Sequence, residues 1–239
     1  GAPGAWITLR AVGAAIIDTP GPNNRHDSNV ELETWEGTGT VSYWVLEGLE
    51  VRNAPRWGID VRGSEVAHSH HITLRDNLVH HNGIASVATG IFFAFTDKVA
   101  VVDNESHHNG EHGIYLSNSG DGFLVEGNHL HDNQRCGLHV NGDLSLGGDG
   151  IISDGTVAGN LITGNGVEAC AGINLDGAED VRIRNNVIAE NHATGIAVFR
   201  QDGAVCSRDI TIEHNTIVQA ADARWDLVIG GPGCRDGTL

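Results

Sequence analysis

The sequence predicts an all-β chain wound as a parallel solenoid of about seven to eight coils, and three observations predict it. Gly48, Asn77, Asn104, Asn128, Asn160, Asn186 and Asn215 mark one corner, separated by 29, 27, 24, 32, 26 and 29 residues. A second asparagine stands five residues on, at Asn53, Asn82, Asn109, Asn133, Asn165 and Asn191. Each copy then carries a Gly-apolar-x-apolar strand, as in Gly113-Ile114-Tyr115-Leu116, Gly137-Leu138-His139-Val140 and Gly172-Ile173-Asn174-Leu175. A period near 28 is too short for a propeller blade, and the alternation is that of strands. One such copy cannot bury its own apolar face. Stacked on like copies at the ~4.8 Å strand spacing, it forms continuous ladders of Ile, Val and Leu. The corner asparagines are expected to take left-handed backbone and to chain their amides along the stack.

The elements follow in order. Trp6-Ile7-Thr8-Leu9-Arg10 alternates as a strand, with no amphipathic helix before it. Residues 20–40, opening with Pro20-Gly21-Pro22-Asn23-Asn24, read as a surface loop. The repeats from Gly48 to Val198 come next, and Asn215 with Asp226-Leu227-Val228-Ile229 forms a weaker last copy. The tail from Gly233 to Leu239 reads as another coil beginning. One domain over residues 1–239 is expected. An open coil exposes apolar surface and unpaired backbone, so the native chain is expected to be longer, or its ends covered by another molecule. The start at Gly1 and the lack of methionine point to a processed or truncated chain.

The spacing N-x-I-x-x-N-x-x-x-G-I-x-V, running from Val30 to Ile229, resembles the right-handed, single-stranded parallel β-helix proteins of the pectate-lyase-like superfamily. That resemblance implies a right-handed β-helix. It also implies a secreted or cell-surface protein acting on a polysaccharide, since the group is rich in lyases, glycoside hydrolases and sugar epimerases. Its reaction signatures are missing from this chain. There is no Trp-x-Asp-His of pectate lyases, no Asn-Thr-Asp, Gly-His-Gly or Arg-Ile-Lys of polygalacturonases, and no Tyr-Gly-Phe-Asp-Pro-His of alginate epimerases. No catalytic residue carries over.

Charge narrows the partners. Lys and Arg total 14 against 31 Asp and Glu, a formal charge of -17, which excludes nonspecific binding to nucleic acid or anionic membrane. No run approaches the ~18 apolar residues of a membrane span. Four cysteines contain no Cys-x-x-Cys, and their even number in an acidic chain points to disulfides and export. In the coil register Cys136 falls beside Cys170, and Cys206 and Cys234 follow the strands of the last two coils at comparable distances. The pairs expected are Cys136–Cys170 and Cys206–Cys234.

In the Gly-Ile-x-Val strand the Ile and Val positions face inward, so alternate positions face outward. One outward column reads Asp60, Phe92, Tyr115, His139, Asn174, Ala197; the next reads Arg62, Ala94, Ser117, Asn141, Asp176, Phe199. Three consecutive copies thus gather Tyr115, His139, Asn141, Asp143, Asn174 and Asp176, bordered by Phe199 and Arg200. The Gly-rich segment Gly142–Gly150 makes this copy the longest, at 32 residues, and builds a groove wall. For β-elimination on a uronic acid, His139 and Tyr115 would serve as base and acid, while Asn141, Asn174 or Arg200 stabilise the enolate-like charge. Hydrolysis would instead pair Asp143 with Asp176. The acidity of the chain disfavours a polyanionic substrate unless Ca²⁺ bridges the two; otherwise no cofactor is indicated.

Two rival readings remain. Eleven of fourteen histidines lie between His68 and His139, and in register His80, His107 and His131 stack, as do His81 and His108. Such a stack is a zinc or copper candidate, or a structural ladder that charges and repels itself in acid. Alternatively, exposed rings at Trp57, Phe92, Tyr115 and Phe199 would make a non-catalytic sugar-binding surface or a structural solenoid.

Overall fold

The computed structural model describes residues 1–19, 28–34, 39–85, 88–230 and 234. Among them, three eight-stranded sheets are parallel throughout, so the chain winds through eight coils of three strands. In the fourth coil these strands are Thr96–Val102, Glu105–His107 and Ile114–Ser117, one each in the first, second and third sheets. The fifth coil contributes Gly120–Glu126, His129–His131 and Leu138–Asn141, and the sixth Ile152–Ala158, Leu161–Thr163 and Ile173–Asp176. A single 3-10 turn, Leu144–Leu146, is the only helical element among the described residues.

Register explains the core. Ile91, Ile114, Leu138, Ile173 and Ile196 lie in one column of the third sheet. All five are fully buried. Such ladders give each coil its hydrophobic stabilisation from the coils above and below, at about 25 cal/mol per Å² of apolar area.

Both asparagine corners form buried amide ladders. Asn133 Nδ2 donates to Ser106 O (3.0 Å) and to Asn165 Oδ1 (2.9 Å). Its Oδ1 accepts from the Asn109 backbone N (3.2 Å) and Asn109 Nδ2 (2.9 Å). The left-handed backbone expected at these asparagines is found at Asn53, which is exposed and stands one position before Ala54, the residue at the ladder position; in the following coils it sits one residue before the asparagine, at Asp76, Asp103, His81, His108 and Asp132. The reason is geometric: the preceding residue turns the chain outward, which lets the asparagine side chain enter the stack. The glycine opening each third-sheet strand also has a cause. A Cβ at Gly90 would stand 2.6 Å from Asn109 Nδ2, and one at Gly137 would stand 2.6 Å from Ile162 Cγ2.

Cys136–Cys170 and Cys206–Cys234 are both disulfides, with Cα separations of 5.1 and 5.7 Å. Of the segment 20–40, residues 20–27 and 35–38 lie outside the described residues. Val30–Leu32 within it is not loop but a strand, paired with Ile59–Val61 at the start of the third sheet. The tail from Gly233 lies outside the described residues except for Cys234. In the first and last coils, residues of the inward columns are open to solvent, with Leu9 45% and Ile229 46% exposed.

Candidate functional site

The pairing register places Tyr115 beside His139 and His139 beside Asn174, and in the next column Ser117, Asn141 and Asp176. These outward positions are not a wetted surface. Asn141, Asn174 and Asp176 are 3, 5 and 2% exposed, because the corners on both sides rise as walls. Between the walls lies a groove of about 450 Å³, lined by Tyr115, His139, Asn141, Asn174, Asp176 and Phe199 together with Glu111, His112, Arg135, Glu168, Gln201 and Asp202. A second hollow of about 660 Å³ shares Glu168, Cys170, Phe199 and Gln201 with it and runs on to Arg224 and Trp225.

The centre of the groove is a stacked pair. The Tyr115 and His139 rings lie 4.7 Å apart and nearly parallel. Trp57 stacks on Phe92 at 5.2 Å, and Phe92 meets Tyr115 edge-on at 5.3 Å, so four rings continue along the sheet. Asn141 Nδ2 donates to the Tyr115 hydroxyl at 3.0 Å, while Asn141 Oδ1 is buried without a protein partner. Burial raises the Tyr115 pKa, so the phenol keeps its proton at neutral pH.

His112 was not singled out from the sequence, yet it sets the proton inventory. It is buried, and its Nδ1 accepts from the Cys136 backbone N at 3.1 Å. Burial first, then His139 and Arg135, holds its pKa well below the ordinary value, so the ring is neutral and carries its proton on Nε2. That Nε2 lies 3.2 Å from His139 Nδ1 and 3.5 Å from Glu111 Oε1. Donation to His139 Nδ1 leaves His139 with its own proton on Nε2. Burial, then Arg135, drives the His139 pKa down to about 3. His139 therefore rests as a neutral hydrogen-bond donor rather than as a free base.

The acidic groups divide. Asp176 accepts from the backbone N–H groups of Gln201 (2.9 Å), Asp202 (2.8 Å) and Gly203 (3.2 Å), anchoring the wall. Asp143 is outside the groove lining; it caps the 3-10 turn, accepting from Ser145 N and Ser145 Oγ, each at 2.7 Å. Arg200 is likewise turned into structure, its Nε donating to Gly203 O at 3.1 Å. The cation that lines the groove is Arg135, 3.3 Å from Glu111 Oε1 and 3.8 Å from Glu168 Oε2. Burial raises the Glu111 pKa, opposed by Arg135 and by a bond from Thr89. Glu111, His112, Arg135 and Glu168 come from the corners between the second and third sheets. Their only sequence signal is a titratable residue within four positions before the strand glycine.

Histidine clusters at two places, one in the groove and one on the second sheet, invite a metal reading. His112, Cys136 and His139 bring ligand atoms within 4.8 Å of one another, but the Cys136 sulfur is spent in a disulfide. The other group, on the second sheet, stacks as the register predicts: His80 on His107 at 4.9 Å, His107 on His131 at 4.6 Å, His81 on His108 at 5.1 Å. Burial, then His131 and His80, lowers the His107 pKa to about 4.

Fold and groove together define a parallel β-helix with a polar cleft on its third sheet. The chain belongs to the right-handed β-helix family, whose description as a right handed beta helix region fits residues 38–146 and 141–231. Among solved structures it is similar to the pectate lyase Pel9A, at 17% identity and TM-score 0.60, over 94% of this chain and 63% of that one. It is also similar to the A-module of the mannuronan C-5 epimerase AlgE4 of Azotobacter vinelandii, at 22% identity and TM-score 0.52, over 80% of this chain and 60% of that one. The periplasmic alginate epimerase AlgG matches at 16% identity and TM-score 0.58, over 79% of this chain and 46% of that one. The chain thus spans less than two thirds of each of these three proteins. No curated protein matches it in sequence. No helix among the described residues is long and apolar enough to cross a membrane.

Proposed function

We propose that this β-helix is an exported carbohydrate-active enzyme that cleaves an acidic polysaccharide by β-elimination in the groove of coils four to six. The observation that carries the reading is the stacked Tyr115–His139 pair beside Arg135, with His139 Nδ1 held 3.2 Å from His112 Nε2. In the reaction Glu111, with its raised pKa, takes the C5 proton of a uronate. The His139 Nε2–H and the Arg135 guanidinium hold the substrate carboxylate as negative charge builds on it. The Tyr115 hydroxyl gives its proton to the departing O4 of the next sugar. Asn174 and the unpartnered Asn141 Oδ1 bind sugar hydroxyls, and Phe199 stacks at the exit.

Several features support this reading over its rivals. A hydrolytic pair would need Asp143 and Asp176 free, and both are occupied by backbone groups. Two disulfides match an oxidising compartment. The three neighbours named above are a pectate lyase, a mannuronan epimerase and an alginate epimerase, and proton removal at C5 opens both elimination and epimerisation. Glu168 and Asp202 on the rim keep the cleft acidic, so Ca²⁺ bridging them to the substrate would aid binding. A non-catalytic sugar-binding role has its own support in the ring column Trp57, Phe92, Tyr115 and His139.

The test is incubation with alginate, pectate and neutral glycans, with and without Ca²⁺, following ultraviolet absorbance of unsaturated uronates and reducing ends together. Both signals rising, and both lost in Tyr115→Phe and Glu111→Gln, is the expected result. Reducing ends alone mean hydrolysis. Exchange of the C5 proton with solvent deuterium but no cleavage means epimerisation. Binding with neither leaves the sugar-binding role.

A further inference from the structure

At the corner that follows the second-sheet strands, two adjacent coils repeat His-His-Asn: His80-His81-Asn82 and His107-His108-Asn109. The asparagines are locked in the buried ladder, and His81 and His108 take left-handed backbone. In each pair this bend turns the two Nδ1 atoms toward each other, at 2.7 Å in both. The next coil repeats the arrangement with an acid, His131 Nδ1 lying 2.7 Å from Asp132 Oδ2. One ring nitrogen from each of His107, His108 and His131 lies within 4.8 Å of the other two.

We propose that this corner, built on His80, His81, His107, His108 and His131, is a binding site for a borderline divalent transition-metal ion such as Zn²⁺, Ni²⁺ or Cu²⁺. Imidazole nitrogens in this density suit such ions and not Mg²⁺ or Ca²⁺. An ion held at about 2.0–2.1 Å from each ligand reaches nitrogens up to about 4 Å apart. His81 and His108 are exposed, so their rings turn to close the remaining gap. Coordination through both Nδ1 atoms of a pair requires each ring to carry its proton on Nε2. The outer contacts favour that tautomer: His80 Nε2 faces Glu50 Oε1 at 3.3 Å and His131 Nε2 faces Glu105 Oε1 at 3.1 Å. Carboxylates behind ligand imidazoles are the usual support of such sites. The site stands on the second sheet, and its test does not depend on the proposed reaction.

The protein carries its own control. His70 and His71 form the same Nδ1 pair at 2.8 Å, but Tyr43 stacks on His71 where a second imidazole pair would be needed. Calorimetric titration of protein without an affinity tag, using ZnCl2, NiCl2 and CuCl2 in turn, is expected to show saturable binding for at least one ion. That affinity should fall about 10-fold or more in His107→Gln/His108→Asn, whose Asn tolerates the left-handed backbone, and fall similarly in Glu105→Gln. It should be unchanged in His70→Gln/His71→Asn. No saturable binding, or equal loss in the His70/His71 variant, overturns the proposal. Should the His107/His108 variant fail to fold, ¹⁵N NMR of the wild type decides instead. Zn²⁺ should shift the Nδ1 signals of these five rings alone, and shifts spread over all histidines would overturn the site.

Discussion

Nε2 of His112 donates to Nδ1 of His139 across 3.2 Å, and the donor's own Nδ1 is held by the Cys136 N–H. The backbone of one coil therefore decides which nitrogen of a groove residue on the same coil carries a proton. Ring ¹⁵N NMR at pH 7 should find both histidines protonated on Nε2 and bare on Nδ1. A proton on His139 Nδ1 would leave the His112 Nε2–H without this acceptor and would overturn the proton inventory. If the proposed elimination holds, His112→Asn should lower kcat by up to about 10²–10³-fold, the range of one lost charge-stabilising donor, with a smaller change in KM.

Acid should weaken the fold around this pair. A histidine whose folded pKa lies below the unfolded 6.5 binds fewer protons in the native state, so stability falls as pH drops through 6.5 and keeps falling until the folded groups protonate. For His139 that window runs from 6.5 to about 3, and His112 acts in the same direction. Above 6.5 neither contributes a slope. The melting temperature should fall by at least about 2–4 °C between pH 7 and pH 4, the shift that 1 kcal/mol produces at this size. His139→Gln should make that fall shallower. A wild type and variant with identical profiles would count against the assignment.

Asn133→Ala removes both donor contacts and both acceptor contacts of a fully buried amide. Buried partners left unpaired cost about 1–3 kcal/mol each, and relaxation of the ladder recovers part of this. A net loss of about 2–5 kcal/mol is expected from the urea midpoint at constant slope. Asn133→Asp should lose nearly as much, because its carboxylate cannot donate to Ser106 O or Asn165 Oδ1.

Gly137→Ala tests the close approach behind the site strand. The added methyl would meet Ile162 Cγ2 at 2.6 Å, and overpacking of this kind costs about 1–3 kcal/mol. Leu138→Asp, one residue on, places a charge at a fully buried position and should unfold the coil. His139→Gln, facing the groove, should keep the circular dichroism spectrum of the parent.

Much of this was legible in advance. A solenoid converts an offset in sequence into a neighbour in space, so aligning the strand glycines already put Tyr115, His139 and Asn174 in one column and Cys136 beside Cys170. The histidine stack followed from the same alignment. Glu111, His112, Arg135 and Glu168 were not found, because they sit in corners whose lengths vary: three residues separate Asn133 from Gly137 and six separate Asn165 from Gly172. Asp143 and Arg200 were grouped with the site by their offset. A 3-10 turn and the Gly203 carbonyl take their polar atoms instead.

The division has a physical cause. Strand, coil, inward face and ladder partner all follow from a period, since each depends only on residues a fixed number of positions apart. Depth of the groove, the seat of each proton and the choice between Arg135 and Arg200 depend on irregular corners. There a single backbone N–H, as at Cys136 or Gln201, captures a side chain that the repeat alone leaves free.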